Sequence, residues 1–304
     1  MSPSQEIRIG DHTIEIDNLD KVFFPGNEVT KGRLLDYYRA ISDVMLPHLE
    51  DRPLTLQRFP DGIGGEGFYQ KKVSDHFPGW IGRTSVMLKG EDKKQEQLFC
   101  NDAATLAYLV GQGTIAFHIW QSRRDKLHHP DRLVFDLDPP DDNFEPVRKA
   151  ARELKRLLES VELTPFVMTT GSRGLHVVTP LDRSHNFEAV RTFAKDIANL
   201  LTGKYPDRYT TDIRKDKRGD RLFLDYLHNA YGQNSIAPYS VRPLKSAPVA
   251  TPLDWDELNN GKLHAQSYTL KNILRRMGQK KDPWTSFKRH ARSLDTPRRL
   301  LEDI

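Results

Sequence analysis

A chain of 304 residues, of which 37% are hydrophobic and 29% charged, can bury a substantial core, which excludes an intrinsically disordered protein. Its formal net charge of +4 is mildly basic and by itself only weak evidence for a nucleic-acid partner. The chain has one cysteine and no signal-peptide pattern, which excludes a disulfide-rich secreted protein. It has no apolar run near the roughly 20 residues that span a bilayer, which excludes a membrane protein. These features predict a cytosolic protein.

The first half of the chain predicts an irregular α+β module. Its predicted elements are an amphipathic helix near Thr30–Leu49, a strand at Leu54–Phe59, a hairpin around Val86–Cys100, a short helix at Ala103–Val110 and an apolar stretch at Ile115–Trp120. We expect this module to cover one face of a sheet formed by the second half, with a substrate cleft between the two.

The second half predicts the element order β-α-β-β-α-β. The predicted strands are Leu133–Asp138, Pro165–Thr170, Leu175–Thr179 and Arg221–Tyr226, and the helices span Asp142 or Asn143 to Val161 and Phe187 to Leu201. This order is typical of ferredoxin-like and RNA-recognition folds. In such folds both helices lie on one face of the sheet, and the first strand pairs with the third and fourth.

Three carboxylates and a histidine are predicted to share the open face of this sheet. Because alternate residues of a strand point to the same side, Asp136 and Asp138 are expected beside His176 of the third strand and Asp225 of the fourth. Such carboxylates suit two divalent cations that promote an in-line displacement. Two surface aspartates that merely end a strand before a Pro-Pro turn are the alternative.

The stretch TTGSRGLHVVTP combines groups that suit a triphosphate. The hydroxyl of Ser172, the turn N–H groups, the guanidinium of Arg173 and the imidazole of His176 can all donate to phosphate oxygens. A plain β-turn followed by an incidental histidine is the alternative interpretation.

The C-terminal stretch from Lys262 to Ile304 is the most basic part of the chain. It contains eleven Lys or Arg against four Asp or Glu, a surplus of +7. A phosphate-facing tail and a solvated basic helix are equally consistent with this pattern.

Four segments in the second half carry a family resemblance. LVFDLDPP, GSRGLHV, RLFLDY and NSIAPYSVRP resemble successive signature segments of the polymerase domain of bacterial ligase D, in the archaeo-eukaryotic primase superfamily. The resemblance begins at NLDKVFFP and extends through DWDEL. It implies an α+β primase-polymerase fold that forms a single domain, 1–304. Within this domain, an N-terminal module at 1–130 would pack around a central cleft against an RNA-recognition-like catalytic module at 131–245. A basic helical extension would follow at 246–304.

The resemblance implies a template-directed DNA/RNA polymerase, a nucleotidyltransferase that fills gaps and extends DNA ends with NTPs or dNTPs during non-homologous end joining. It implies two catalytic ions, Mn²⁺ or Mg²⁺, on Asp136, Asp138 and Asp225. The implied ligands of the incoming nucleotide are Ser172, Arg173, His176, Arg242 and His228. Some relatives have glutamine where His228 stands, which leaves the sugar preference open.

Further positions match DNA-binding positions of the family. The resemblance implies that Lys21, Lys31 and Asn18 bind the 5′-phosphate of a downstream strand and that Phe68 and Tyr69 stack on bases. Lys31 begins a predicted helix, whose N-terminal amides would also favour an anion. Other family-like or basic-loop candidates are Arg58, His118, Lys217 and Arg218. The alternative interpretations are ordinary surface lysines, aromatic side chains packed in the core, a core histidine and a solvated loop.

The resemblance also implies partners and a location. DNA with 5′-phosphorylated gaps or ends, ligase and nuclease modules and an end-bridging protein are the expected partners, with no membrane contact. The expected location is the bacterial cytoplasm, in association with the nucleoid.

Other functions remain open. FDLD resembles the opening motif of haloacid dehalogenase phosphotransferases, but Pro140 stands where that family needs a threonine. A glycosyltransferase could use the DxD strand but has no need for the lysine pair or the stacking aromatics. A non-catalytic nucleic-acid-binding module would leave three clustered carboxylates repelling the phosphate backbone.

Overall fold

A computed structural model describes residues 4–88 and 93–304. Its strands are β1 (Gln5–Ile9), β2 (His12–Ile16), β3 (Val22–Phe24), β4 (Val29–Thr30), β5 (Leu54–Arg58), β6 (Phe68–Gln70), β7 (Arg83–Met87), β8 (Lys94–Leu98), β9 (Thr114–Trp120), β10 (Arg132–Asp138), β11 (Phe166–Thr169), β12 (Leu175–Pro180), β13 (Tyr209–Thr210), β14 (Leu222–Asp225), β15 (Asn234–Ile236) and β16 (Pro252–Leu253). Its α-helices are α1 (Lys31–Ala40), α2 (Ser42–Leu49), α3 (Ala103–Gly111), α4 (Glu145–Ser160), α5 (Phe187–Lys204), α6 (Ile273–Gln279) and α7 (Asp295–Glu302). None of the helices in this part of the chain is long and apolar enough to cross a bilayer.

The chain divides into two compact units, each built from three segments. Unit 1 contains Met1–Trp120, Asn234–Ala250 and Tyr268–Lys281, and unit 2 contains Gln121–Gln233, Thr251–Ser267 and Asp282–Ile304. The predicted modules at 1–130 and 131–245 therefore approximate the two units. The predicted extension at 246–304 is divided between the units and contributes strand β16 as well as helices.

Unit 2 contains a six-stranded sheet in the order β13-β14-β10-β12-β11-β16. The central strand β10 pairs antiparallel with both β12 and β14, which confirms the predicted pairing of the first strand with the third and fourth. The edge strands β13 and β16 were not predicted. Antiparallel pairing on both sides of β10 is incompatible with the parallel βα repeat that a haloacid dehalogenase fold requires.

Helices α4 and α5 pack against each other and against β10, because each carries an apolar stripe. Val147, Ala151, Leu154 and Leu158 are buried on α4. The predicted start of α5 is confirmed, with the side chain of Asn186 accepting from the N–H of Ala189. Helix α4 begins later than predicted, at Glu145, whose N–H donates to Oδ1 of Asn143 at 3.1 Å.

Unit 1 contains a four-stranded sheet in the order β15-β9-β5-β6. Its apolar core includes Leu34 and Tyr38 of α1 together with Leu56 and Phe117 of the sheet. The prediction of a single helix near Thr30–Leu49 is wrong, because the chain leaves helical geometry at Ile41, between α1 and α2. The hydroxyl of Ser42 donates to the carbonyl of Arg39 at 2.9 Å, a side-chain bond that competes with the helical pattern.

Candidate active site

The register of unit 2 brings the predicted carboxylates to one face of its sheet. Asp136 lies directly opposite Asp225 on β14 and directly opposite His176 on β12. Directly opposed residues share a face, and Asp138 shares it because it lies two positions further along β10. The face is more covered than the predicted open side, because His176 and Val134 are both buried.

The imidazoles of His176 and His228 lie against this carboxylate group. Nε2 of His176 is 3.4 Å and Nε2 of His228 is 3.6 Å from Oδ2 of Asp136, and Nε2 of His228 is 3.9 Å from Oδ2 of Asp225. Burial opposes ionisation of Asp136, but the two histidines outweigh it and hold the pKa of this carboxyl well below its usual range. Asp136 is therefore an ionised carboxylate with two imidazole neighbours.

The other two carboxylates show the opposite shift. Burial and the negative charge of Asp136 raise the pKa of Asp138 to about 6, although Arg173 acts in the other direction. Burial is also the main cause that raises the pKa of Asp225, with a further contribution from Asp136. The three carboxyls thus lie close enough to repel one another, a repulsion that bound cations would relieve.

The donor set fits a divalent cation. Oδ1 of Asp136 is buried and has no hydrogen-bond partner within residues 4–88 and 93–304. Gly174 packs closely beside this oxygen, because a Cβ at residue 174 would lie 3.5 Å from it and only 2.1 Å from the carbonyl oxygen of Leu137. No group of three His, Cys, Asp or Glu side chains among the described residues already encloses an ion position. The fit therefore rests on ligand type, charge and the unsatisfied oxygen.

Thr170 organises the GSRG turn, a role that the sequence analysis missed. Its Oγ1 accepts the N–H groups of Ser172 and Gly174, both at 3.2 Å, and donates to the carbonyl of Gly174 at 3.1 Å. Gly171 adopts φ +67°, which glycine tolerates without strain. The amide of Gln266 donates to the carbonyl of Ser172 at 3.1 Å. These bonds hold Ser172 and Arg173 at the end of β11, and Arg173 acts electrostatically on Asp138.

Asn229 positions His228, and the sequence analysis missed it too. Its side chain accepts the N–H of Val134 at 2.8 Å and donates to the carbonyl of Val134 at 2.6 Å and to that of Tyr226 at 2.9 Å. The amide thereby continues the ladder of β10 beyond the end of β14. It anchors the 3₁₀ turn Leu227–Asn229, which contains His228, to β10, the strand of Asp136 and Asp138. Asn229 is fully buried, which the sequence around it did not indicate.

The basic loop of unit 2, residues 211–221 between β13 and β14, is held by hydrogen bonds to its own backbone. The guanidinium of Arg218 donates to the carbonyls of Asp212 and Ile213, both at 2.9 Å, and lies 3.6 Å from the ring centre of Phe223. Arg218 also acts electrostatically on Asp225. Lys217 ends the short 3₁₀ turn Lys215–Lys217 and is exposed.

In unit 1, the turn before β3 lies against the N-terminus of α1. The N–H of Lys21 donates to the carbonyl of Asn18, and the N–H of Lys31 donates to the carbonyl of Lys21 at 2.8 Å. The N–H of Gly32 donates to the carbonyl of Leu19. The expectation that these helix amides serve an anion is therefore wrong, because chain carbonyls already accept from them.

Both predicted phosphate-binding lysines contact carboxylates. Nζ of Lys31 donates to the main-chain oxygen of Asp17 at 2.9 Å and to its Oδ1 at 2.8 Å. The hydrogen bond from Lys31 lowers the pKa of Asp17. Nζ of Lys21 contacts Oδ1 of Asp61, which begins the glycine-rich loop DGIGGEG, residues 61–67, between β5 and β6. Neither aspartate was predicted from the sequence to take part in this site.

The predicted aromatic pair is exposed on the edge strand β6, as expected for residues that stack on bases. Phe68 is 46% and Tyr69 60% exposed. The ring of Tyr69 lies 5.8 Å from that of His118, and the guanidinium of Arg58 lies 5.4 Å from the ring centre of Phe68. Arg58 also donates to the carbonyl of Gln112 and to Oε1 of Gln70, which gives it a structural role.

The predicted nucleotide-binding residues are divided between the units. Ser172, Arg173, His176 and His228 belong to unit 2 with the carboxylates, whereas Arg242 belongs to unit 1. Nη1 of Arg242 lies 3.5 Å from Nε2 of the buried His118.

Comparisons with known proteins agree with this geometry. Residues 30–284 match the family model described as LigD, primase-polymerase domain. The chain is 33% identical over 279 residues to the bifunctional non-homologous end joining protein LigD of Bacillus subtilis, covering 91% of this chain and 44% of that protein. It is 31% identical over 253 residues to the multifunctional LigD of Mycolicibacterium smegmatis, covering 82% of this chain and 33% of that protein.

A solved structure is similar over nearly its whole length. The polymerase domain of Mycobacterium tuberculosis ligase D, in complex with DNA, superposes with a TM-score of 0.85 at 29% identity, covering 91% of this chain and 98% of that one. The chain thus spans less than half of the curated relatives but almost all of this isolated domain. It belongs to the LigD primase-polymerase domain family, whose members are polymerases of the nucleotidyltransferase type.

Proposed function

We propose that this chain adds nucleotides to DNA ends and fills short gaps on a template during non-homologous end joining. Family membership supports the polymerase chemistry, and the names of the relatives support the repair pathway. The observation that carries the proposal is the face of unit 2 on which Asp136, Asp138 and Asp225 lie together.

Asp136, Asp138 and Asp225 are proposed to hold two divalent cations, Mn²⁺ or Mg²⁺. When bound, such ions activate a primer hydroxyl and neutralise charge on the leaving pyrophosphate. His176 and His228 keep the Asp136 carboxylate ionised before the ions arrive. Oδ1 of Asp136 has no hydrogen-bond partner in the described part of the chain and is therefore available as a cation ligand.

The incoming triphosphate is proposed to bind the GSRG turn. Ser172 and the turn amides donate to phosphate oxygens, and the guanidinium of Arg173, which also acts electrostatically on Asp138, pairs with phosphate charge. His176 and His228 orient the nucleotide from the same face. Arg242 is assigned to the nucleotide by the resemblance, and its contact with His118 supports a shared role for these two side chains.

DNA is proposed to bind both the aromatic edge of unit 1 and the lysine pair. Phe68 and Tyr69 stack on bases, a contact that contributes about 1–3 kcal/mol per base. Lys21 and Lys31, with Asn18 in the connecting turn, select a downstream 5′-phosphate. Arg58 supports the aromatic edge, and Lys217 and Arg218 of the basic loop contact the substrate backbone.

The proposed partners follow from the relatives. Ligase and nuclease modules, in the same chain or on separate proteins, would act on the extended ends, and an end-bridging protein would hold two ends together. The similar polymerase domain of Mycobacterium tuberculosis ligase D was solved in complex with DNA, which supports DNA as a partner of this chain. We propose that the chain acts in the bacterial cytoplasm, in association with the nucleoid.

Replacing Asp138 tests the proposal. Asp138→Asn keeps the size of the side chain but removes the charge, so incorporation should fall by at least about a thousandfold, or about 4 kcal/mol of transition-state stabilisation. Stability should not fall, because the substitution relieves repulsion from Asp136. Primer extension on gapped DNA with Mn²⁺ measures the first effect, and thermal unfolding measures the second.

The exposed residue Asp142 supplies the matched control. Asp142→Asn makes the same charge change next to the same strand and should leave extension and DNA affinity unchanged. Wild-type extension rates in Asp138→Asn would refute the assignment of the carboxylate face.

A further inference from the structure

The two lysines of the proposed 5′-phosphate site are held by their aspartates in different ways. The side chain of Lys31 is only 6% exposed, and its ammonium donates to two oxygens of Asp17. The side chain of Lys21 is 37% exposed and contacts a single oxygen of Asp61, which is itself 73% exposed. Exposed ion pairs contribute little to stability because water competes for both partners. The contact of Lys21 with Asp61 is therefore the exchangeable one.

The backbone of the glycine-rich loop places Asp61 against Lys21. The N–H of Ile63 donates to the carbonyl of the buried Phe23 at 2.8 Å. Gly62 adopts φ +73°, and a Cβ at residue 62 would lie 2.8 Å from Cα of Phe23. Only glycine allows the loop to approach β3 this closely. The position of Asp61 therefore follows from an anchored loop and not from a chance meeting of two flexible side chains.

The lysine pair is electrically balanced in this state. The charges of Lys21 and Lys31 face those of Asp61 and Asp17. The first amides of α1 already donate to carbonyls of the preceding turn. A terminal phosphate monoester carries about −1.5 to −2 charge at neutral pH. Its attraction to the lysine pair increases when one carboxylate releases its lysine.

We propose that Asp61 is a counter-ion which an incoming 5′-phosphate displaces from Lys21, so that this loop residue sets the selectivity for 5′-phosphorylated DNA. The proposal rests on the assignment of Lys21 and Lys31 to the 5′-phosphate in the proposed function. Lys31 stays anchored by Asp17 and gives the site its geometry. Lys21 exchanges a carboxylate for a phosphate oxygen, and Asp61 lowers the affinity by competing for the same ammonium.

Asp61→Asn removes the competing charge and keeps the side-chain size. Affinity for gapped DNA with a 5′-phosphate should rise about 1.5- to 5-fold, since an exposed ion pair contributes about 0.2–1 kcal/mol and 1.4 kcal/mol is tenfold. Affinity for the same DNA with a 5′-hydroxyl should not change. Fluorescence anisotropy at constant salt measures both affinities with the full chain.

Asp36→Asn is the matched control, because Asp36 is exposed on α1 of the same unit. It should leave the ratio of the two affinities unchanged. The proposal would be overturned if Asp36→Asn raised the ratio of the two affinities as much as Asp61→Asn does. It would also be overturned if Asp61→Asn raised the affinity for both DNAs equally, because either result would indicate a general effect of charge.

Lysine variants separate this proposal from the function on which it rests. Lys21→Ala should reduce the phosphate preference, and adding Asp61→Asn to it should restore nothing. If Lys21→Ala and Lys31→Ala both lose the preference but Asp61→Asn matches wild type, the counter-ion role is overturned and the phosphate site stands. If wild type shows no preference, or both alanine variants keep it, the proposed phosphate site fails and the counter-ion role fails with it.

Discussion

Single side chains determine the charge state of the carboxylate face. Asp136 stays ionised because two imidazoles contact it, whereas the half-buried Asp138 and Asp225 hold their protons more tightly. The DxD spacing predicted which side chains share the face. It did not predict that His228 would contact two of the carboxylates, because this contact depends on the turn after β14.

The hydroxyl of Thr170 can be tested with an isosteric change. Thr170→Val removes the acceptor for the N–H groups of Ser172 and Gly174 and should destabilise the chain by about 1–3 kcal/mol. The loosened turn should raise KM for the nucleotide more than it lowers kcat. Steady-state incorporation kinetics and thermal unfolding measure the two effects.

Thr179→Val provides the control for this change. Thr179 is equally buried on β12, and its Oγ1 has no hydrogen-bond partner in the described part of the chain. Its replacement should be neutral or stabilising, with KM unchanged. Similar effects of the two substitutions would show that the Thr170 hydroxyl does not organise the turn.

At the scale of elements, local patterns predicted the strands and helices of unit 2 within a few residues. Alternation and apolar stripes are local properties, so β10, β12, α4 and α5 could be read from the sequence. The two-residue strands β13 and β16 carry no periodicity of their own. They exist because neighbouring strands present free ladder positions to them.

The anchoring of the Leu227–Asn229 turn predicts a measurable cost. Asn229→Ala leaves the N–H and carbonyl of buried Val134 without their partner, which should cost about 1–3 kcal/mol of stability. Incorporation should fall as well, because His228 loses its fixed position near Asp136 and Asp225. Chemical denaturation and primer extension measure these losses.

Asn199→Ala is the comparison, since Asn199 is exposed on α5. Substitutions at such positions change stability by no more than about 0.5 kcal/mol. Equal stability of the two variants would contradict the anchoring role of Asn229.

At the scale of the whole molecule, cation binding should stabilise the folded chain. Mn²⁺ at a hundred times its Kd adds about 2.7 kcal/mol when it binds only the native state. The wild type should therefore show a higher Tm with Mn²⁺ than with EDTA. Asp138→Asn should lose most of this increase, whereas Asp142→Asn should retain it. An unchanged increase in Asp138→Asn would place the bound ion elsewhere.

The two units also show how a division of the chain by sequence order differs from a division by contacts in space. Boundaries near residues 130 and 245 follow from the order of motifs. The segment after 245 nevertheless contributes to both units, with Val249 bonded to Tyr268 in unit 1 and Leu253 paired with Val167 in unit 2. The sequence composition predicted a basic extension for this segment, because the number of charged residues can be counted from the sequence. The composition does not show which unit each part of the segment packs against.

The amino-acid sequence by itself determined the βαββαβ order, the shared face of the three aspartates and the family. Each depends on the spacing of residues along a strand or on the order of short motifs. The tertiary structure alone decided that Asn229 completes β10, 95 positions from Val134, and that Asp61 meets Lys21, 40 positions away. Such contacts form only when loop closure brings distant segments together, and an asparagine or aspartate in a loop gives no local sign of its partner.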